Sequence, residues 1–252
     1  MHKQGDTHLN ACESCRNGSP LDFDFTMAFQ PIVDIIDQKV FAYEALVRGV
    51  DGSGAASILS LVTLENRYRF DQACRIKAVQ LAARLGVECL VSINFLPNAI
   101  YEPSTCIRAT LAAAAEFDFP TSQLMFEISE SEDPVDKAHL KNIVDAYGSR
   151  GFTTAIDDFG SGYANLGLLV EFQPDYVKLN ISLLRGIDGD PVRQAVVRSV
   201  LGLCESLKIG VIAEGIETVA EYQWFKNEGV RYAQGYLFAR PAIEQLPEIV
   251  WP

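Results

Sequence analysis

Asp157 and Asp158 are adjacent carboxylates in the stretch Thr153-Thr-Ala-Ile-Asp157-Asp158-Phe-Gly160-Ser-Gly162-Tyr163. Side by side they repel, and a fold keeps such a pair cheaply only where water, a cation or hydrogen bonds offset the repulsion. Two readings are open for the pair alone. It is either an acidic strand end that caps the next helix, or part of a cation site backed by a loop with Gly160 and Gly162 as hinges. The rest of the chain favours the second. Glu44 follows Val40-Phe-Ala-Tyr, Asn94 follows Cys89-Leu-Val-Ser-Ile, and Glu127 follows Leu124-Met-Phe. Lys178, Glu214 and Gln234 likewise follow Asp175-Tyr-Val, Val211-Ile-Ala and Val230-Arg-Tyr-Ala. Any one of these reads as a polar strand terminus, but the repetition needs a common cause. Glu44, Asn94, Glu127, Asp157, Asp158 and Glu214 all offer hard oxygen, with no histidine or cysteine among them. That donor set suits Mg²⁺ or Mn²⁺ rather than zinc. Adjacent aspartates further suggest two ions sharing a bridging carboxylate. Ions about 3.5–4 Å apart clamp a phosphate for in-line displacement. Lys178 is the cation among these acids. It either orients or helps deprotonate a water, or only balances charge.

The elements that must hold these residues are strands and helices in alternation. Continuous apolar runs of strand length suit strands buried on both faces, as in a parallel sheet. Helical periodicity covers Arg67–Leu85, Pro103–Phe117, Pro134–Ser149, Pro191–Leu207 and Thr218–Glu228. Pro134 and Pro191 stand where a first helical turn accepts proline, and Gly86, Gly151 and Gly229 fall after helix ends. Near the start, Met27–Asp34, Asp37-Gln-Lys and Val40–Ala45 read as a hairpin. The expected fold is therefore α/β, a TIM-like (β/α)8 barrel with an antiparallel first strand. In such a barrel the strand ends converge on one mouth.

Composition narrows the functional classes. The 252 residues suffice for one large domain, and a 48% apolar content argues against disorder. A net charge of −12 disfavours binding to duplex DNA or RNA or to anionic membrane. It does not exclude an anionic substrate if metal ions invert the local charge. No apolar run approaches membrane-spanning length and no signal segment follows Met1, so a cytoplasmic location is expected. Residues 1–20 read as a tail or linker and 21–252 as the domain. Cys12-x-x-Cys15 is half of a zinc site, a redox pair, or simply part of that tail.

Taken in order, the motifs resemble those of EAL domains. They are Phe29-Gln30-Pro31-Ile32, Tyr43-Glu44-Ala45-Leu46-Val47-Arg48, Ile93-Asn94-Phe95-Leu96-Pro97, Glu127-Ile-Ser-Glu130, Asp157-Asp158-Phe-Gly-Ser-Gly-Tyr, Lys178-Leu-Asn180, Ala213-Glu214-Gly-Ile-Glu217 and Gln234-Gly-Tyr-Leu-Phe-Ala-Arg-Pro241. The resemblance spans about residues 21–252. It implies a phosphodiesterase that opens cyclic di-GMP to linear pGpG with two Mg²⁺ or Mn²⁺ ions. It implies Glu44, Asn94, Glu127, Asp157 and Asp158 as ligands, with Asp157 bridging. Glu214 is implied as a further ligand or a general base, and Lys178 as the residue that holds or activates the attacking water. Gln30, Leu46, Arg48, Asp71, Gln234 and Pro241 are implied at the substrate, and Glu130 as a support for the loop after Asp158. A homodimer is implied, and a regulatory protein partner is a further expectation. Two departures stand out: Leu96 where the family usually has serine, and Asn180 where it usually has aspartate. Neither position is a ligand. The rival readings are a catalytically silent cyclic di-GMP receptor or protein-binding module, and a barrel metal enzyme acting on small carbon acids.

Overall fold

The computed structural model describes residues 21–96, 100, 103–129, 137–161 and 166–252. The expected tail with Cys12 and Cys15, the loop residue Gly162 and the loop support Glu130 all lie outside the described residues. Strand β1 (Phe25–Asp34) is buried along its whole length. It pairs antiparallel with β2 (Lys39–Gly49) on one side and with β8 (Tyr232–Gln234) on the other. From β2 the sheet runs parallel through β3 (Leu90–Phe95), β4 (Leu124–Ser129), β5 (Thr153–Phe159), β6 (Tyr176–Leu179) and β7 (Gly210–Glu214) to β8. The β1–β2 pairing closes the ring. This is the barrel read from the sequence, with β1 as its antiparallel member. A short added strand, β9 (Ala242–Ile243), lies against β1.

Side chains along a strand alternate between faces. In a closed barrel one face meets the helices and the other fills the interior. Ile32, Ala42, Met125, Ala155 and Ile212 form the interior layer, packed beneath by Phe41, Leu90, Tyr176 and Tyr232. Phe41 stacks on Tyr232 with ring centroids 4.0 Å apart, which plugs the lower end of the barrel. Two residues toward the mouth from the members of this layer stand Gln30, Glu44, Glu127, Asp157, Glu214 and, above Tyr176 and Tyr232, Lys178 and Gln234. Period two alone therefore aims these polar groups into the same space. The much larger apolar cluster lies between strands and helices and includes Phe95, Phe126, Tyr147 and Phe152.

Helix ends follow the sequence signals closely where they are described; of the expected helix 134–149 the structure shows Lys137–Gly148, and Pro134 lies outside the described residues. Helix Arg67–Arg84 stops one residue before the expected Leu85, and helix Pro191–Leu207 matches its expected bounds. Asp190 caps the latter through the amides of Val192 and Arg193. Thr218 and Glu221 form a capping box on helix Val219–Asn227. Three differences stand out. The expected helix 103–117 is broken at Ile107 into Pro103–Cys106 and Arg108–Glu116. Short helices at Ala55–Leu59, Leu166–Glu171 and Ile181–Leu184 are too brief to show a period. Finally, β2 does not stop at Glu44 but runs on to Gly49, because β1 pairs with it as far as Phe25.

A buried ion pair ties the helical layer to β3. Arg75 donates to Asp71 Oδ2 at 2.6 Å, to Thr110 Oγ1 at 3.1 Å and to the Cys106 carbonyl at 3.3 Å. Asp71 Oδ1 accepts from the backbone amide of Leu96 at 3.1 Å, just beyond Asn94. Removing one partner leaves the other charged, buried and unpaired. Arg75→Ala is thus expected to cost about 3–5 kcal/mol, measured by urea unfolding of the purified variant. A cost below about 1 kcal/mol would show that the pair carries little of the fold.

Candidate metal centre

Lys178 Nζ is wholly buried at the centre of the mouth. It lies 3.2 Å from Glu44 Oε2, 3.0 Å from Glu127 Oε2, 2.9 Å from Asp157 Oδ1 and 3.2 Å from Glu214 Oε1. Four elements far apart in sequence thus meet on one ammonium. Neutral donors complete the shell. Asn94 Nδ2 donates to Glu44 Oε1 at 3.0 Å, Gln234 Nε2 to Glu44 Oε2 at 2.8 Å, and Ser92 Oγ to Glu127 Oε1 at 2.5 Å. Gln30 anchors the side of the mouth by donating to the Ala239 carbonyl at 3.2 Å.

Asp157 and Asp158 reach the same space by a local break in the strand. A regular strand would send neighbours to opposite faces. Here the β5–β6 register shifts between Ile156 and Phe159, and Asp158 takes a left-handed φ of +58°. Aspartate tolerates that region better than most residues. Asn180 Nδ2 donates to Asp158 Oδ1 at 2.5 Å. The outcome is two carboxylate triads, Glu44–Glu127–Asp157 and Asp157–Asp158–Glu214. In each, one oxygen per residue lies within 4.8 Å of the others, and Asp157 belongs to both.

One ammonium cannot balance these acids. Burial, then repulsion from Glu44, pushes Glu127 well above the ordinary carboxylate range, against the pull of Lys178. Burial likewise lifts Asp157, despite the Lys178 charge. Glu214 is raised well above its usual value by burial, opposed by Lys178 and reinforced by Asp157. For Glu44 burial is the largest influence, but Lys178 and the hydrogen bonds from Gln234, Lys178 and Asn94 overcome it and hold the group below the usual value. Burial would lower Lys178, yet the surrounding carboxylates keep it well above the ordinary lysine range. The donors fit divalent Mg²⁺ or Mn²⁺: hard oxygens only, in two triads with a common member.

The remaining expected residues are placed around this core. A cavity of about 250 Å³ opens beside the second triad, lined by Gln30, Asp158, Asn180, Glu214, Gln234 and Tyr236. Another of about 250 Å³ runs along β2 and β3 past Leu46, Asp71, Asn94 and Leu96. Asp71 lines it with both oxygens already engaged inside the protein. Arg48 lies farther out on β2 and donates to the Val47 carbonyl at 2.7 Å. Pro241 is half-buried next to β9. Ser92, Asn180 and Tyr236 carry no expected role from the sequence. Ser92 stands two residues before Asn94, so period two on β3 would have found it.

The sequence profile of the EAL domain matches residues 17–241. The chain belongs to this family. It is similar to a standalone EAL protein from Vibrio cholerae, solved with cyclic di-GMP bound. The identity is 52%, the TM-score is 0.89, and the match covers 92% of this chain and 98% of that one. It is also similar to BlrP1 of Klebsiella pneumoniae, solved with manganese and cyclic di-GMP, at 33% identity and a TM-score of 0.85, covering 93% of this chain and 60% of that one. The antirepressor BluF of Escherichia coli is 30% identical over 95% of this chain and 59% of its own length. The cyclic di-GMP phosphodiesterase PA2567 of Pseudomonas aeruginosa is 30% identical over 89% of this chain and 40% of its own length. The chain thus spans less than two thirds of these curated relatives. No helix among the described residues is long and apolar enough to cross a membrane.

Protons and divalent ions compete for these carboxylates. Groups whose values are raised by burial hold protons that an ion must displace, so ion binding releases protons and tightens as pH rises. Mn²⁺ affinity measured calorimetrically is expected to be higher at pH 8 than at pH 6. An affinity that is flat across that interval would contradict the raised values of Glu127 and Glu214.

Proposed function

We propose that this chain is a metal-dependent phosphodiesterase that hydrolyses cyclic di-GMP to linear pGpG. The observation that carries this reading is the pair of triads joined through Asp157 at one barrel mouth, in a chain of the EAL family. Solved relatives with cyclic di-GMP bound support the substrate class.

Two Mg²⁺ or Mn²⁺ ions, when bound, would supply Lewis-acid stabilisation of the charge that develops at phosphorus. Glu44, Asn94, Glu127 and Asp157 would hold one, and Asp157, Asp158 and Glu214 the other. The chain's own groups then position the reactants. Lys178, kept protonated by its carboxylate partners, would serve as a cation and hydrogen-bond donor that holds the attacking water. Glu214 faces the cavity, and it would serve either as the third donor of the second triad or as the group that accepts the proton of the attacking water. Water adds at phosphorus, the bond from phosphorus to the 3′ oxygen breaks, and that oxygen leaves as a hydroxyl by taking up the proton that the water gave up. The 5′ phosphate stays on the opened dinucleotide. Gln30, Gln234 and Pro241 on one side, and Leu46 and Arg48 on the other, would meet base and phosphate, whereas Asp71, expected at the substrate, has both oxygens taken by Arg75 and the Leu96 amide and would act only by supporting the chain beyond Asn94. Glu130 as a loop support and a homodimer belong to the same proposal.

A non-catalytic regulator is the second reading, favoured by the similarity to an antirepressor over 95% of this chain. The complete set of oxygen donors at the mouth speaks for the enzyme. Chromatography of cyclic di-GMP incubated with the full chain and Mn²⁺ separates the two. Hydrolysis predicts a pGpG peak that chelation removes. Asp158→Asn is expected to lower kcat more than about a hundredfold, beyond the usual loss from altering a residue that only supports a ligand. Intact substrate, together with measurable binding of cyclic di-GMP, would establish the receptor instead.

A further inference from the structure

Asn180 follows β6 directly and its side chain bridges two structures. Its Oδ1 accepts from the Ser182 amide at 2.7 Å and caps the short helix Ile181–Leu184. Its Nδ2 donates to Asp158 Oδ1 at 2.5 Å. The capped turn is wedged against the backbones that carry two site acids. A Cβ on Gly160, two residues after Asp158, would come within 2.5 Å of Leu183 Cδ1. A Cβ on Gly215, next to Glu214, would come within 2.6 Å of Ile181 Cγ1. Both glycines have positive φ, at +94° and +81°. Asn180 is therefore fixed from below by β6, from the side by its own helix, and through that helix by the close approach to Gly160 and Gly215.

We propose that Asn180 is a positioning residue that aims Asp158 at Asp157 and Glu214 before any ion arrives, an inference that rests on the divalent-ion reading of the mouth. The left-handed Asp158 needs a partner to hold one orientation, and the amide provides a donor to its oxygen. A carboxylate at position 180 could still cap the helix, but would set a second acceptor against Asp158 Oδ1. The amide thus prepares the Asp157–Asp158–Glu214 seat without adding negative charge to it. A side chain that orients a metal ligand typically changes affinity by about 10–100-fold when altered.

Two variants separate positioning from capping, because serine and aspartate are both good caps. Mn²⁺ binding to the full chain is read by calorimetry and by the paramagnetic resonance of bound Mn²⁺, and melting is followed with and without the ion. Asn180→Ser keeps a cap oxygen but loses the amide. It is expected to weaken one of two Mn²⁺ classes at least about tenfold, the class that Asp158→Asn also loses, with the metal-free melting temperature unchanged. Asn180→Asp is expected to melt lower than the parent without metal and to show a larger Mn²⁺-induced rise. Mn²⁺ affinities within twofold of the parent in Asn180→Ser, or a parent-like thermal response in Asn180→Asp, overturn the proposal. A parent protein that binds no Mn²⁺ overturns it together with the divalent-ion reading, whereas parent binding with unresponsive variants overturns this inference alone.

Discussion

The contact of one buried ammonium with four carboxylates governs this structure. Taking charges out of water is costly, and the cost is offset only when opposite charges and hydrogen bonds surround them. Lys178 Nζ meets Glu44, Glu127, Asp157 and Glu214 within 3.2 Å, and none of these groups has another charge of opposite sign in contact among the described residues. The strands β2, β4, β5 and β7 must therefore bring Glu44, Glu127, Asp157 and Glu214 to one level. The barrel does this through the alternation of its strands, and the apolar layer of Ile32, Ala42, Met125, Ala155 and Ile212 sets the floor beneath.

Supports for that level come from outside the barrel as well. The Asp71–Arg75 pair fixes the chain just beyond Asn94. On the other side, buried Glu221 accepts from the amides of Gly186, Glu217 and Thr218, and so joins the turn after Leu184 to the helix that follows β7. Burial works against the ionisation of Glu221, but those amides and Arg185 hold it below its usual value. Both supports are carboxylates whose oxygens are fully used by neighbours. They differ in kind from the acids of the mouth, where four carboxylates share one ammonium among the described residues.

The barrel and the core of its mouth were legible in the sequence because both rest on short-range rules. Strand-length apolar runs ending in polar residues fixed the level of Asn94, Glu127, Glu214 and Gln234, and chain order with the motifs gave the family. What escaped depended on geometry that no period encodes. The reach of β2 beyond Glu44 follows from its pairing with β1, a long-range fact. The left-handed turn at Asp158 leaves no mark on composition beyond the aspartate itself. Asn180 stood out as a departure from a motif, yet its bond to Asp158 crosses from one strand to another. The engagement of Asp71 within the protein is equally invisible, since its partners Arg75 and Leu96 sit on a helix and a strand end.

The two triads cannot be treated as independent seats. They share Asp157, and Lys178 touches Glu44 and Glu127 of one and Glu214 of the other. A positive charge entering either seat competes with the ammonium for the same oxygens. In a space removed from water, that competition is screened far less than on the surface. The position of Lys178 is then a function of what both seats hold, and so are the proton affinities of Glu127 and Glu214. A group that is only a charge balance could be replaced by any buried cation. Lys178 is a single ammonium on a flexible stem, able to shift its donors among several acceptors without leaving the site, which a planar guanidinium with fixed geometry could not do. The residue type at the centre of the mouth is thus part of the chemistry that the carboxylates alone suggest.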